Sequence, residues 1–349
     1  MGVDIGSGAI RAAEVHDPTK ASAAVHRYEE IVLPDGAVRD GDVQEVNTVA
    51  DALRRLWTSS GFKSRDVVLG VGNHKVIVRD LTVAKMPMAQ IKESLPFQVQ
   101  DLLPLPVADA LLDFYPVSEE TTEAGEVIHG LLIAAVKDSV EAKVAAARLA
   151  GLNPVGVDLV PFALSRVLLA GPDGAGTVAL VDIGEMTTIV VIAHDGVPRF
   201  VRIIPTGGHD VTRALADRLD LPIEEAERLK RLVGLVASPK APEGLTTTAY
   251  EAVLEIVFSV TSELLSGLRN TLSYFGSNNA RRVERILLTG GAARMPGFAA
   301  ALGELTRVSV REGNPLDGIN LTKALTDKTP EGGWGSMTVA VGLASGASV

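Results

Sequence analysis

Short apolar runs and helical stripes alternate along this chain, and part of the pattern occurs twice. Gly2–Ile5 and Ala9–Val15 read as two strands around a tight turn. Asp17-Pro18-Thr19-Lys20 is a turn signal. Val25–Leu33 alternates poorly but is β-prone. Val46, Val49, Leu53, Leu56 and Trp57 fall at helical spacing, which predicts a helix over Val46–Trp57. Asp66–Gly72 and Lys75–Thr82 read as further strands, giving a β-β-β-α-β-β segment.

From Met86 the character changes, because Pro87, Pro96, Pro104 and Pro106 fall close together. Ile91–Leu103 has a helical pattern in which Pro96 is expected to kink the helix or mark its true start. Leu111–Val117 and Val127–Val136 read as strands linked by a polar loop, Ser118–Gly125. Val140–Leu149 is an amphipathic helix that stops at Gly151, with Pro154 beyond. Residues 84–156 therefore read as an α-β-β-α insert between two larger pieces.

The second half restarts with a strand at Val178–Asp182. Ile189–His194 and Pro198–Ile204 form a hairpin through Asp195-Gly196. Helices are predicted over Asp210–Leu219, Pro222–Val233 and Ala249–Phe275, the last with a stripe of Val253, Ile256, Val257, Val260, Leu264, Leu268 and Leu272. Arg285–Thr289 and Val308–Val310 read as strands, and Pro296–Leu305 and Met337–Leu343 as helices.

The repeated phrase carries the candidate chemistry. Val3-Asp4-Ile5-Gly6-Ser7-Gly8 opens the chain, and Val181-Asp182-Ile183-Gly184-Glu185 returns in the middle, followed by Met186-Thr187-Thr188. A carboxylate at a strand end beside glycine suits a hydrated Mg2+, which keeps its waters and takes few protein ligands. Asp4 and Asp182 are the candidate ligands, each acting through the ion's water. Gly6, Gly8 and Gly184 let backbone N–H groups approach phosphate oxygens, and Ser7, Thr187 and Thr188 add hydroxyls. One Asp-x-Gly is as often only a turn, but two in matching strand contexts weigh toward a ligand. Thr289-Gly290-Gly291-Ala292 ends a strand before a helix and suits a nucleoside or phosphate, with Arg294 placed to cover a base. Thr206-Gly207-Gly208 follows the same logic. Glu224, Glu227 and Lys230 share a helix and could reach ribose hydroxyls, although spacing alone favours a solvated face with a Glu227–Lys230 pair.

Bulk properties narrow the classes. The 349 residues suffice for two domains or more. Apolar residues make up 46% and aromatics only 4%, so aliphatic side chains must fill the core. A net charge of −10 argues against general nucleic-acid binding. Without cysteine there is neither a disulfide framework nor a thiolate metal site. The six histidines (His16, His26, His74, His129, His194 and His209) show no metal-ligand spacing and are expected on surfaces or loops. Neither a Gly-x-Ser-x-Gly elbow nor a Gly-x-x-x-x-Gly-Lys loop occurs. No signal-peptide pattern and no spanning apolar run is expected, and Gly346-Ala347-Ser348-Val349 is not an amphipathic anchor. The short run before Asp4 leads us to expect a chain trimmed at its N-terminus.

These motifs in this order resemble the superfamily of actin, the heat-shock chaperone ATPases and the sugar kinases. Asp4-Ile5-Gly6-Ser7-Gly8 would be its phosphate 1 motif, Asp182-Ile183-Gly184 phosphate 2, and Thr289-Gly290-Gly291-Ala292 the adenosine motif. Within it the chain is most similar to the type IV pilus assembly PilM family, a relative of the division protein FtsA. The similarity rests on Gln98-Val99-Gln100-Asp101-Leu102-Leu103-Pro104, Leu112-Asp113-Phe114, Ile204-Pro205-Thr206-Gly207-Gly208 and Glu224-Glu225-Ala226-Glu227 with Lys230.

The resemblance implies an α/β, duplicated actin-like (RNase H-like) ATPase fold, with two lobes around a nucleotide cleft and a small 1C-type insert. It places the first lobe at 1–83, completed by 157–176 and 335–349, the insert at 84–156, and the second lobe at 177–334 with a 2B part at about 222–275. It implies ATP and Mg2+ as ligands and a cytoplasmic protein held at the inner face of the membrane. Its partner would be the N-terminal cytoplasmic tail of a PilN-like membrane protein, alongside other pilus platform proteins and self-association. An FtsA-like division protein and a small-molecule kinase are the alternatives. Glu185 departs from the family pattern, where a small residue is usual; it must turn away from the phosphates or weaken their binding. No clear water-activating carboxylate occurs beyond Asp4, Asp182 and Glu185, so turnover is expected to be slow at most.

Overall fold

The computed structural model describes residues 1–16, 23–123, 125–236, 241–278, 281–316, 319–326 and 333–346. The turn signal at 17–20 and the last three residues lie outside them. The chain begins β1 (Gly2–Ile5), β2 (Ala9–His16), β3 (Ala24–Val32), β4 (Val38–Arg39), β5 (Asp42–Val43), α1 (Val46–Ser60) and β6 (Asp66–Val71). It continues β7 (Val76–Ala84), α2 (Met88–Gln98), β8 (Ala110–Thr122), β9 (Gly125–Val136), α3 (Lys137–Leu149), β10 (Asn153–Leu159) and α4 (Val160–Leu168). The second half holds β11 (Thr177–Ile183), β12 (Thr188–His194), β13 (Val197–Ile204), α5 (Gly208–Leu219), α6 (Ile223–Val233), α7 (Thr247–Asn278) and β14 (Arg285–Thr289). It ends with α8 (Phe298–Thr306), β15 (Ser309–Glu312), β16 (Asn320–Leu321), α9 (Lys323–Thr326) and α10 (Thr338–Ser345).

The duplication is plain in the sheets. One has the order β10-β6-β1-β2-β3-β16 and the other β13-β12-β11-β14-β15. In each, an antiparallel meander (β1-β2-β3, β11-β12-β13) continues through its first strand into two parallel neighbours (β6 and β10, β14 and β15). The parallel strands require helical crossovers, which is where the intervening helices come from.

Each sheet buries aliphatic side chains on its faces. In the first, Val3, Ile5 and Leu69 pack on Val49 and Leu53 of α1 and on Ala146 and Ala147 of α3. In the second, Val181, Ile183 and Val190 pack on Leu215 of α5, Leu229 of α6 and Val257 and Leu268 of α7. The stripe predicted for α7 is therefore its core face. The other face of the second sheet, with Leu180 and Val191, meets Val160 and Leu164 of α4. That shared core joins the two lobes.

Between them, α2, β8, β9 and α3 follow in the α-β-β-α order read from the sequence. The small sheet takes a third strand, with order β7-β9-β8, so it begins before residue 84. Its own core is Val83, Ile91, Leu95, Phe114 and Leu132. Helix α3 leaves it and packs on α1, because its Ala146, Ala147 and Ala150 face the first lobe.

Two local expectations fail. Pro96 does not start α2 but lies in its last turn, on an exposed face. There the missing N–H leaves only one carbonyl without its helical partner. The expected loop Ser118–Gly125 is mostly strand, because Ser118–Thr122 pair with Gly125–His129.

Candidate functional site

The repeated phrase folds into two copies of one turn. Gly6 N–H donates to the Ala9 carbonyl at 3.0 Å, and Gly184 N–H donates to the Thr187 carbonyl at 2.9 Å. Asp4 stands opposite Arg11 in the first hairpin, and Asp182 stands opposite Ile189 in the second. Only the first carboxylate therefore has a cross-strand cation. Arg11 reaches Asp4 at 3.9 Å while its other nitrogen donates to Glu30 at 2.9 Å.

The two carboxylates sense each other across the cleft. Burial is the larger cause that pushes Asp182 up to about 7, the Asp4 charge adds to it, and Arg11 opposes it. Burial also raises Asp4, against the pull of Arg11 and Lys143. No described side chain bonds the Asp182 carboxylate. Two desolvated carboxylates with too little positive charge between them are a donor set that a cation would satisfy. Among the described residues no group of three or more His, Cys, Asp and Glu could cage a metal by itself. The fit is to an ion that keeps its waters and takes oxygens from a second ligand.

Lys143 was not anticipated. It sits on α3, is 4% exposed, and donates to the Gly70 carbonyl at 3.0 Å and the Ile5 carbonyl at 3.3 Å. Burial pushes its ammonium pKa down, while Asp4 and Asp42 push it up. A lysine in phase with Val140, Ala146 and Ala147 on a helical face was the readable signal.

The second turn is fastened to α5. Gly184 and Glu185 carbonyls accept from Gly208 N–H at 3.0 Å and His209 N–H at 2.8 Å. A side chain at Gly207 would run into the Glu185 backbone. Asp210 caps the helix by accepting from Gly207 N–H at 2.8 Å. Thr188, expected to offer a hydroxyl to the ligand, is instead buried and donates to the Thr206 carbonyl at 2.8 Å. It ties the turn to the loop before α5 and does not face the cleft. Thr187 remains half-buried on the turn, as Ser7 does on its counterpart.

The remaining wall is built around Gly290. Its φ of +95° is left-handed, and a side chain there would strike the Ile183 carbonyl, so only glycine seats this strand end against the second turn. Gly291 faces open space, and Ala292 lies against Gly208. Arg294 is exposed, with its guanidinium beside Gly333. A small cavity lined by Ile183, Gly207, Gly208, Lys230, Ala292 and Phe298 lies behind these loops.

Glu227 and Lys230 do not form the solvated face that spacing favoured. Lys230 is buried and donates to the Gly208 carbonyl at 3.0 Å, Thr212 Oγ1 at 2.8 Å and Glu227 Oε2 at 2.5 Å. Burial opposes ionisation of Glu227, yet hydrogen bonds from Lys230 and Thr212 and the lysine charge bring its pKa to about 2. Glu224, by contrast, is exposed.

Glu185 does not turn away. A methyl group placed on Gly8 would lie 2.5 Å from Glu185 Oε2, so this carboxylate reaches across to the opposite phosphate-type turn. The first turn offers Ser7 at the equivalent position.

Two lobes that share a five-strand sheet core and carry paired Asp-x-Gly turns define an actin-like ATPase fold. MreB 5 of Spiroplasma citri bound to AMPPNP superposes with a TM-score of 0.55, covering 98% of this chain and 93% of that one at 12% identity. The PilM-PilN type IV pilus biogenesis complex matches with a TM-score of 0.85 at 26% identity, over 99% of this chain and 97% of that one. Cell division protein FtsA of Bacillus subtilis is 23% identical over 321 residues, spanning 81% of this chain and 72% of FtsA. The family model of type IV pilus assembly protein PilM matches residues 2–346. The chain belongs to the PilM family.

Proposed function

We propose that this protein binds ATP with Mg2+ between the two Asp-x-Gly turns and docks the N-terminal cytoplasmic tail of a PilN-like membrane protein. It thereby links a pilus platform in the inner membrane to the cytoplasm. The observation that carries the reading is the near-complete structural match to a PilM-PilN complex. The nucleotide part rests on the paired turns and on the nucleotide-bound MreB neighbour. No helix among the described residues is long and apolar enough to cross a membrane, which suits attachment through a partner.

In this reading Asp4 and Asp182 hold Mg2+ through its waters, and the ion supplies charge neutralisation for the phosphates. Gly6, Ser7, Gly8, Gly184 and Thr187 present N–H and hydroxyl groups to the phosphate oxygens. Gly207 and Gly208 bring the N-terminus of α5 close, where its dipole favours an anion. Glu227 faces the ribose side, and Lys230 fixes it there through their ion pair. Gly290, Gly291 and Ala292 form the base wall, with Arg294 over it. Hydrolysis is slow, because Asp4 and Asp182 are committed to the ion.

The test is a titration of the partner's N-terminal peptide with and without Mg·ATP. Saturable binding supports the reading, and no association in either condition overturns it. The FtsA similarity favours a second reading, a division protein of the same fold. Binding of the protein to liposomes without any partner would favour that one.

A further inference from the structure

Asp42 lies at a junction that the nucleotide reading leaves unused. It sits in the two-residue strand β5 and is 5% exposed. Its Oδ1 accepts from Asn73 Nδ2 at 2.7 Å and from Ser139 Oγ, and its Oδ2 pairs with Lys75 Nζ. Asn73 and Ser139 are themselves buried. Burial alone would raise the Asp42 pKa, but the bonds from Lys75, Ser139 and Asn73 hold it below the usual carboxylate range.

The partners of Asp42 lie where the small sheet joins the first lobe. Asn73 and Lys75 are in the turn between β6 and β7, by which the chain enters that sheet. Ser139 is in the first turn of α3, directly after β9, by which the chain leaves it. One carboxylate therefore clamps both covalent connections. The Lys75 carbonyl also accepts from Val136 N–H at 3.1 Å, closing the two connections on each other.

The same junction is wired to the first turn by two routes. Gly41, next to Asp42, donates its N–H to Ser7 Oγ at 3.3 Å. Gly41 has a φ of +75° and packs on Asn73, where a side chain would sit 2.9 Å from Cβ. One turn beyond Ser139 on α3, Lys143 holds the Ile5 carbonyl at the end of β1. A displacement of Ser7 or Ile5 is thus passed to the base of the small sheet through directed polar bonds in a buried setting, where such bonds are stiff and costly to break.

We propose that Asp42 is a positioning residue that couples occupancy of the first turn to the angle of the β7-β8-β9 sheet, and so to the affinity for the membrane protein's tail. This rests on the reading above and places the tail beside the small sheet, where Phe97 of α2 and Leu111 of β8 leave apolar surface exposed. The two-state element is the pair of connections at 72–75 and 136–139. By linkage, a nucleotide that changes peptide affinity by some factor must have its own affinity changed by the same factor.

The experiment is a thermodynamic box on the full chain, with Mg·ATP and the N-terminal tail peptide titrated separately and together. Wild type, Asp42→Asn, Ser139→Ala and Lys75→Met are compared, each with its melting temperature. The wild type should show a coupling factor of about fivefold or more. Asp42→Asn should bind each ligand alone yet bring the factor to about one, and Ser139→Ala should lower it partway. A role confined to stability would lower the melting temperature and leave the factor unchanged, which overturns the proposal. So would a wild type that binds both ligands with no coupling, although the functional reading would then stand. If the wild type binds neither ligand, the functional reading itself fails. Should Asp42→Asn not fold, Ser139→Ala and Lys75→Met decide by the same criterion.

Discussion

Replacing Asp182 with Asn should stabilise the ligand-free protein at alkaline pH and leave it unchanged in acid. The carboxyl is shifted from its ordinary value of 3.8 to about 7, first by burial and then by the Asp4 charge. The sign follows from the order in which the two states lose the proton. Below pH 3.8 both the folded and the unfolded chain hold it, and there is no penalty. Between that pH and about 7 the unfolded chain ionises first, so the native state loses relative stability. Above about 7 the full penalty stands. A shift of roughly three units corresponds to about 4 kcal/mol, and water entering the cleft reduces this to on the order of 2–4 kcal/mol. Asn keeps the volume and removes the charge. Urea or thermal melts in EDTA at pH 5 and pH 8.5 measure the effect. The variant should gain roughly 3–5 °C at the higher pH. Its advantage should shrink at pH 5 and also when millimolar Mg2+ is added to the wild type. A variant no more stable than wild type at pH 8.5 would refute the reasoning, because the carboxylates would then not be strained in the empty cleft.

Other consequences follow from the same geometry. Glu185→Ala should tighten Mg·ATP binding several-fold at low salt, with the gain fading as salt screens the carboxylate beside Gly8, as calorimetry at two ionic strengths would show. Glu227→Gln should cost about 1–2 kcal/mol at pH 7, after allowance for its partial exposure. The Glu227 contribution is present above its ordinary pKa of 4.5 and is lost as pH falls through about 2, so denaturation curves of the two proteins should converge in strong acid. Gly290→Ala should destabilise by about 3 kcal/mol or more, since it combines left-handed backbone with a collision against Ile183, and chemical denaturation reads this directly.

The turns were the most legible part of the chain. A strand ending Asp-Ile-Gly specifies both a carboxylate at a sheet edge and a backbone that needs glycine, and the second copy appears in the same strand setting. The α7 stripe was equally readable, because period alone places Val257, Leu264 and Leu268 on one face. Strand partners were harder. β7 follows β6 closely in sequence but pairs with β9, far along the chain, and no local pattern encodes that choice. The burial of Lys230 was hidden for a similar reason. Its acceptors, the Gly208 carbonyl and Thr212, lie on α5, so on α6 alone the residue looks like part of a charged surface. Lys143 and Asp42 were missed because a single lysine on an alanine-rich helix and a single aspartate in a Gly-Asp turn are common. Only the fold brings their partners together.

The central claim is that the duplicated Asp-x-Gly turns form one Mg·ATP site. Isothermal titration of Mg·ATP into wild type, Asp4→Ala and Asp182→Ala tests it most directly. The account predicts saturable, Mg2+-dependent binding by the wild type and a loss of at least about tenfold in each variant, equivalent to about 1.4 kcal/mol. Equal affinity in all three proteins would contradict it.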